Sequence, residues 1–423
     1  MKHLLVSLVL IISLHQRSKA QLYFPPLTGN AWDTMSPSRL GWCKTSIDSL
    51  YNYLEQTHTR AFIVLKDGKI VLEKYFGSFV QDSVWYWASA GKSLMSFIVG
   101  IAQDQGILDI QQTVTHYLGT GWTVAPVNKE SMITLRNLLT MTSGLDDSPS
   151  GPCENESPET TCLQYLADTG QRWAYHTGAY QQLSQVIEQV SGQTINQFTN
   201  AGILQRTGMT GLWFDGVFYS KARTMARFGL LNLSRGIWNG DTILRSPAYF
   251  GQMTNTSQNF NKSYGYLWWL NGKPSYMVPQ VQVVFPGPLI PHAPPDMFAA
   301  LGKNDQKIYV VPSENLVVVR MGDNAYSSNL ALTNFDDSLW QKLDSLDYHC
   351  TYRFKGNGDW NNISNWDNNE IPPAVLAKQG TILIDPVPGG ACILTGSQVI
   401  SADSKLRIIN GKKLRVPGNL LVQ

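Results

Sequence analysis

The sequence predicts an α+β protein with a small all-β module at its C-terminal end. Three observations lead there. Strand-like runs stand at both ends of the region up to about residue 345. Amphipathic helical runs fill its middle. Beyond residue 350 the chain turns into short β-branched runs broken by Asn, Gly and Pro. The first two call for a sheet assembled from both ends of the region with a helical insertion between them.

Taken in order, Ser46 to Gln56 has helical spacing. Ala61 to Leu65 and Lys69 to Tyr75 flank Lys66-Asp67-Gly68, the pattern of a hairpin around an Asp-Gly turn. Ser89 to Gln105 reads as a helix, because Leu94, Phe97, Ile98 and Ile101 fall on one face and Gly106 stops it. Further helices are expected at Ile133 to Met141 (capped by Thr134 and ended near Gly144), Gln181 to Val190, Ser220 to Leu233 and Ala331 to Leu346. Strands are expected at Tyr264 to Leu270, Ile308 to Val311 and Leu316 to Met321. The late β-branched runs at Thr381 to Ile384, Cys392 to Leu394, Leu406 to Ile409 and Leu414 to Val416 complete the list. Trp360 and Trp366, set among Asn361, Asn362, Asn365, Asn368 and Asn369, form either a binding face or, the favoured reading, a tryptophan core with Asn-rich turns.

Composition limits the function classes. Hydrophobic residues make up 43% and charged residues 15%, which is globular rather than disordered. A net charge of +2 without a long Lys/Arg cluster argues against a nucleic-acid partner. At the start, Lys2 and His3 precede an apolar run from Leu4 to Leu14, and small residues flank Lys19 in Ser18-Lys19-Ala20. That is the pattern of an export leader over residues 1–20, cut before Gln21. No later stretch is long and apolar enough to span a membrane. The expected product is soluble and either secreted or periplasmic. Five cysteines then permit disulfides. Cys153 and Cys162 bracket one loop, Cys350 and Cys392 flank the late segment, and Cys43 is left over. The spacing of cysteine and histidine fits no metal site, and neither HExxH nor a phosphate-binding loop is present, so no metal or cofactor is expected.

One pattern carries chemistry. Ser89-Ala90-Gly91-Lys92 is an S-x-x-K, and Ser89 is the only serine here followed by Lys three residues on. At the start of a helix this spacing lays the Lys amine over the Ser hydroxyl. A buried Lys of lowered pKa takes the proton that makes the hydroxyl nucleophilic, and the helix N-terminus favours the alkoxide. There is no G-x-S-x-G, and His176 reads as a packing or hydrogen-bonding residue.

Around that pattern the chain resembles the serine β-lactamase and penicillin-binding-protein family, in its esterase and 6-aminohexanoate-dimer-hydrolase-like branch. Trp85 to Leu118 looks like its nucleophile helix followed by the Gly-Xaa-Leu-Asp connection. Ile133 to Leu145 (ITLRNLLTMTSGL) is similar to its T-x-x-x-L-L-x-x-T-S-G-L signature. Trp173 to Gly192 resembles the segment of the second catalytic motif, and Phe298 to Val319 the third-motif strand with its hairpin. Ala222 to Gly240 and Tyr264 to Trp269 are also family-like. The likeness spans about residues 40 to 345. It implies a β-lactamase/transpeptidase-like, mainly antiparallel sheet flanked by helices, with an all-helical subdomain. The expected division is a leader at 1–20, a hydrolase domain at 21–347 and an all-β accessory module at 348–423.

Residue by residue, the resemblance implies Ser89 as nucleophile, Lys92 as base and Tyr175 as a phenol that ionises more easily near the Lys ammonium and shuttles the proton. Thr177 stands where the family has Asn, and Ala300 where it has a cation. Gly302 is retained, and the oxyanion hole would use the N–H groups of Ser89 and Lys303, whose side chain is a candidate replacement cation. These departures point to esters or small amides as substrates rather than antibiotics. Alternatives left open are a D-amino-acid peptidase or cell-wall carboxypeptidase, a binding or sensor protein that acylates without turnover, and a polymer or cell-surface contact through residues 348–423.

Overall fold

A computed structural model describes residues 21–326 and 332–423. The expected leader at 1–20 and the start of the last helix at Ala331 lie outside them. Helix α1 (Lys44–Gln56) leads into strands β1 (Thr59–Lys66) and β2 (Lys69–Tyr75). Gly68, at φ +82°, makes their turn; a Cβ there would sit 1.9 Å from the Tyr23 carbonyl oxygen. The helical region follows, with α2 (Gly91–Asp104) and α3 (Thr177–Ser191) as its longest members, and then α4 (Ala222–Leu233). The chain returns to the sheet through β3 (Trp269–Leu270), β4 (Phe298–Gly302), β5 (Gln306–Val311) and β6 (Leu316–Gly322). Helix α5 (Asn334–Asp344) closes the region.

The sheet is antiparallel in the order β2-β1-β6-β5-β4-β3, so strands from the two ends of the region meet at its centre, with Val64 opposite Val318. Alternation sends neighbouring side chains to opposite faces. On one face Gly229 of α4 comes so close that a Cβ would lie 2.4 Å from Val317. On the other, Tyr309 meets Trp340 of α5 edge-on at 5.6 Å, and Phe335 stacks on Tyr53 of α1. Both faces are covered, which is why β5 and β6 are buried along their whole lengths. No helix among the described residues is long and apolar enough to cross a membrane.

Several boundaries differ from expectation. Ser220 and Lys221 belong to a strand (Val217–Lys221), because they pair with Trp85 and Val84, and the helix begins only at Ala222. The run from Tyr264 is strand only at Trp269–Leu270, because the chain before it makes a turn with Leu267 at φ +59°. The helix expected at 133–141 is Leu135–Leu139. Thr134 caps it in a reciprocal pair with Asn137, but Met141 adopts φ +59°.

Past Cys350 the chain forms three parallel three-stranded sheets. They unite 351–354, 381–384 and 405–408; 358–359, 392–393 and 414–415; and 375–376, 397–400 and 419–422. Successive turns of a three-sided coil stack on one another around their own core of Tyr352, Phe354, Trp360, Trp366, Ile382 and Ile384. The binding face offered by Trp360 and Trp366 is therefore overturned, since both rings are buried and packed edge to face at 4.8 Å. Asn365 makes the turn beside them, donating to the carbonyls of Asn357 and Asp359.

The cysteine pairing also corrects expectation. Cys153 bonds to Cys162, but Cys350 bonds to Cys43 rather than to Cys392. Cys350 precedes the first coil and faces the start of α1 with 5.7 Å between Cα atoms, whereas Cys392 is in the coil's core. Burial first, and Asp359 second, push the Cys392 thiol up to about 12. Thiol titration of the oxidised native protein is expected to find no reactive cysteine, and one after unfolding. Cys43→Ser should lower the unfolding free energy by about 2–4 kcal/mol. A Cys43 that reacts in the native protein would contradict the pairing.

Candidate active site

The strand Val84–Tyr86 pairs with Val217–Lys221 and delivers the chain to Trp87, whose indole N–H donates to Ser220 Oγ at 2.7 Å. Ala88 then takes φ +48°, and one 3-10 turn, Ala88–Ala90, carries Ser89 to the start of α2. Lys92, in the first turn of α2, places Nζ 2.9 Å from Ser89 Oγ. The side chain of Lys92 has little room for water, with the residue only 4% exposed. Burial disfavours the ammonium and pulls its pKa down to about 7, while the Glu156 carboxylate acts in the opposite direction. The rings of Tyr175 and Tyr180 lie 5.0 and 4.8 Å from Nζ and also favour the cation. Desolvation outweighs both.

Tyr175 is buried just before α3. Its ring stacks on Trp269 at 6.0 Å and meets Tyr264 edge-on. The phenol faces Ser89, which draws its pKa down, but burial is the larger effect and raises it well above the ordinary value. The expectation that this phenol ionises easily is thus corrected: in this apolar box it keeps its proton at neutral pH. Asn155, from the Cys153–Cys162 loop, clamps the segment. Its amide donates to the Tyr175 carbonyl at 2.8 Å and to the Asp147 carbonyl at 2.9 Å, and its oxygen accepts the Thr177 N–H at 3.0 Å. His176 caps α3 by accepting the Ala179 N–H on Nδ1.

The third segment comes from the sheet. Gly302 ends β4 where a Cβ would lie 2.4 Å from the Trp87 carbonyl oxygen and 3.0 Å from the Ala90 nitrogen, so the end of β4 presses directly on the turn that carries Ser89. Asn304 and Asp305 follow at φ +58° and +57°. The buried Arg320 guanidinium donates to both their carbonyls at 3.0 Å, and Asn304 Nδ2 donates to Tyr86 Oη at 2.7 Å. Behind them Lys307 lies 3.1 Å from Asp305 and 2.8 Å from Asp336, all three buried.

A cavity of about 460 Å³ opens over this junction. Ser89, Lys92, Thr177 and Lys303 line it; Tyr175 stands against Ser89 from one side, and Gly302 against the backbone on the other. Ala300 is wholly buried and takes no part in the lining. The sequence motifs did not mark Asn155, Glu156 or Tyr180. The first two lie in a loop whose path the disulfide decides, and Tyr180 is one more aromatic on an amphipathic helix. Among the described residues no cluster of His, Cys, Asp and Glu is arranged to hold a metal.

A serine turn at a helix start, wedged between an antiparallel sheet and a helical region, fits a β-lactamase/transpeptidase-like serine hydrolase. The chain matches the β-lactamase family over residues 52–335 and belongs to it. It is 24% identical over 298 residues to an uncharacterized protein of Alkalihalophilus pseudofirmus, covering 61% of this chain and 81% of that one. It is 36% identical over 80 residues to 6-aminohexanoate-dimer hydrolase of Paenarthrobacter ureafaciens, covering 19% of this chain and 20% of the relative. The crystal structure of a family VIII carboxylesterase superposes with a TM-score of 0.53 at 13% identity, over 72% of this chain and 98% of that one.

Gly302→Ala tests the junction. The added methyl meets backbone rather than a yielding side chain, so the end of β4 must retreat from the Ser89 turn. The expected loss in kcat/KM for a p-nitrophenyl ester is at least about 10²-fold, the scale of a lost oxyanion contact, with far-UV circular dichroism unchanged. Full activity would show that Gly302 does not set this geometry.

Proposed function

We propose that the protein cleaves ester or small amide bonds by acyl transfer through Ser89, Lys92 and Tyr175. The observation that carries this reading is the buried Lys92 amine, 2.9 Å from the Ser89 hydroxyl, with its pKa drawn down to about 7. At and above neutral pH a large fraction of it is unprotonated, and it takes the Ser89 proton as Oγ attacks the carbonyl. The oxygen of the tetrahedral intermediate faces the N–H groups of Ser89 and Lys303. The protonated Tyr175 gives its proton to the leaving group and recovers one from the Lys92 ammonium. Water then attacks the acyl-Ser89 ester with Lys92 as base; as the acyl–Oγ bond breaks, the Lys92 ammonium returns that proton to Ser89 Oγ and the acid is released. Export to an oxidising compartment is part of the proposal, and the two disulfides favour it. A polymer or cell-surface contact of residues 348–423 would use groups other than the buried Trp360 and Trp366.

Ser89→Ala is expected to abolish p-nitrophenyl acetate turnover in folded protein, and Tyr175→Phe to lose at least about 10²-fold. Colour released beyond one equivalent separates an enzyme from a protein that is acylated once. Because Lys92 acts in its neutral form, kcat/KM should rise with pH and reach half its plateau near pH 7. A flat profile between pH 5 and 9, on the scale of about one pKa unit, would remove Lys92 as the base.

Substrate class has its own test. Without a cation at Ala300 or an amide at Thr177, a β-lactam loses one charge-assisted and one neutral hydrogen bond, together about 2–4 kcal/mol. The kcat/KM for a p-nitrophenyl ester should therefore exceed that for nitrocefin by at least about 10²-fold. Equal rates would turn the reading to β-lactam hydrolysis.

A further inference from the structure

A second, smaller sheet stands beside the cavity over Ser89. The strands Val84–Tyr86 and Leu212–Phe214 both pair with Val217–Lys221, which lies between them. Alternation divides its side chains between two faces. The inner face, with Trp85, Trp213, Phe218 and Ser220, supports the Ser89 turn. Trp87 donates its backbone N–H to the Phe218 carbonyl at 2.8 Å and its indole N–H to Ser220, and Trp213 lies close to Gly91 at the start of α2. The outer face carries Val84, Tyr86, Leu212, Phe214, Val217 and Tyr219. Phe214 is 67% exposed, Val84 55% and Leu212 51%, and the other three are half-buried.

The solvent side of an antiparallel sheet is ordinarily polar. Apolar and aromatic residues gathered on one open face instead mark a binding surface. Its position says what it binds. Val217 belongs both to this face and to the cavity lining. On the neighbouring strand Tyr86 accepts a hydrogen bond from Asn304, next to Lys303 of the same lining. Between them Tyr219 has the rings of Phe214 and Tyr86 each at 6.4 Å. An apolar path thus leaves the cavity and crosses all three strands. It measures roughly 10 Å across the strands and about 13 Å along the middle one, too little for the ~800 Å² that each partner buries in a stable protein complex. Asp215 and Glu156, exposed at the same rim, repel an anionic membrane surface. A single flexible chain fits the face, and the substrate held at Ser89 supplies one.

We propose that the ester cleaved at Ser89 carries an aliphatic chain longer than the cavity holds, and that this chain leaves past Val217 onto Tyr219, Leu212 and Phe214. This rests on the acyl-transfer reading and names its substrate class. The chain withdraws its methylenes from water against rings and branched side chains, and the face loses its exposed apolar area in the same event. Strand pairing holds the face rigid before the substrate arrives, so little ordering is needed there. Binding free energy gathered on this remote chain then positions the carbonyl at Ser89.

Chain length tests the face. On the acyl side, p-nitrophenyl butyrate is compared with the decanoate. On the alcohol side, butyl thioacetate is compared with decyl thioacetate, all below their critical micelle concentrations. A fully enclosed methylene is worth about fourfold, and one laid on an open face about twofold. Lengthening the chain from butyl to decyl should therefore raise kcat/KM at least about tenfold in one of the two series. Leu212→Ser and Phe214→Ser, both at exposed positions, should each lower that ratio at least about threefold. Ile408→Ser, similarly exposed on the distant coil, should leave the ratio unchanged. A smaller rise in both series, or a rise that neither face variant lowers, overturns the proposal. Ser89-dependent cleavage of the butyrate without a gain from chain length overturns it alone, whereas Ser89-dependent cleavage of no ester at all overturns the acyl-transfer reading. Co-sedimentation of the full chain with phosphatidylcholine–phosphatidylglycerol vesicles, lost in Phe214→Ser, would assign the face to a membrane and overturn the proposal too.

Discussion

The close approach of Gly302 to the Trp87 carbonyl is the contact on which the site depends. The Ser89 turn belongs to one part of the chain and strand β4 to another, and only a residue without Cβ lets their backbones meet this closely. Their relative position is set by the sheet, whose central strands β1 and β6 come from opposite ends of the domain. It is locked by Arg320, Asp305, Lys307 and Asp336. Buried charges are costly unless paired and hydrogen-bonded, and here each faces an opposite charge or several carbonyls. The network holds the backbone just beyond Gly302 in the left-handed conformation that turns Lys303 toward the cavity.

A second constraint is the desolvation of Lys92. An amine in water is protonated at neutral pH and useless as a base. The same amine enclosed by Tyr175, Tyr180 and the body of α2 is drawn into the working range. The aromatic box that does this also keeps Tyr175 protonated, so the two groups hold opposite proton states at one pH. That is the arrangement an acid–base pair needs. Asn155 keeps the box in register with α3, and the Cys153–Cys162 bond closes the loop that carries Asn155.

The coil after Cys350 has a separate core, and its links to the hydrolase region lie away from the cavity. They include the Cys43–Cys350 bond, the Lys44 N–H donated to Glu370, the His349 N–H donated to the Lys378 carbonyl, and the Lys378–Asp347 ion pair. Its outer sheets carry exposed Ile408, Leu421 and Val422 on the last turn of the coil. Chemistry and coil thus share a chain and a disulfide but no part of the reacting cavity.

The sequence alone determined the fold class and marked Ser89 as the candidate nucleophile. Periodicity showed the hairpin around Gly68, the helix after Ser89 and the strands at 308–311 and 316–321, because local pattern decides which face is apolar. The unique S-x-x-K put Lys92 over Ser89 through helix geometry alone. Resemblance located Tyr175 and Gly302 but not the state of the phenol, since desolvation depends on Trp269 and Tyr264, which arrive from distant parts of the chain. Only the tertiary structure decided that Cys350 pairs with Cys43, because disulfide partners are fixed by the distance between Cα atoms and not by spacing in sequence. It alone showed the parallel coil, whose strands of two to four residues are too short for a period to register. The apolar face beside the cavity was equally hidden: Tyr86 and Phe214 belong to distant segments, and they share a face only because Val217–Lys221 pairs with both of their strands.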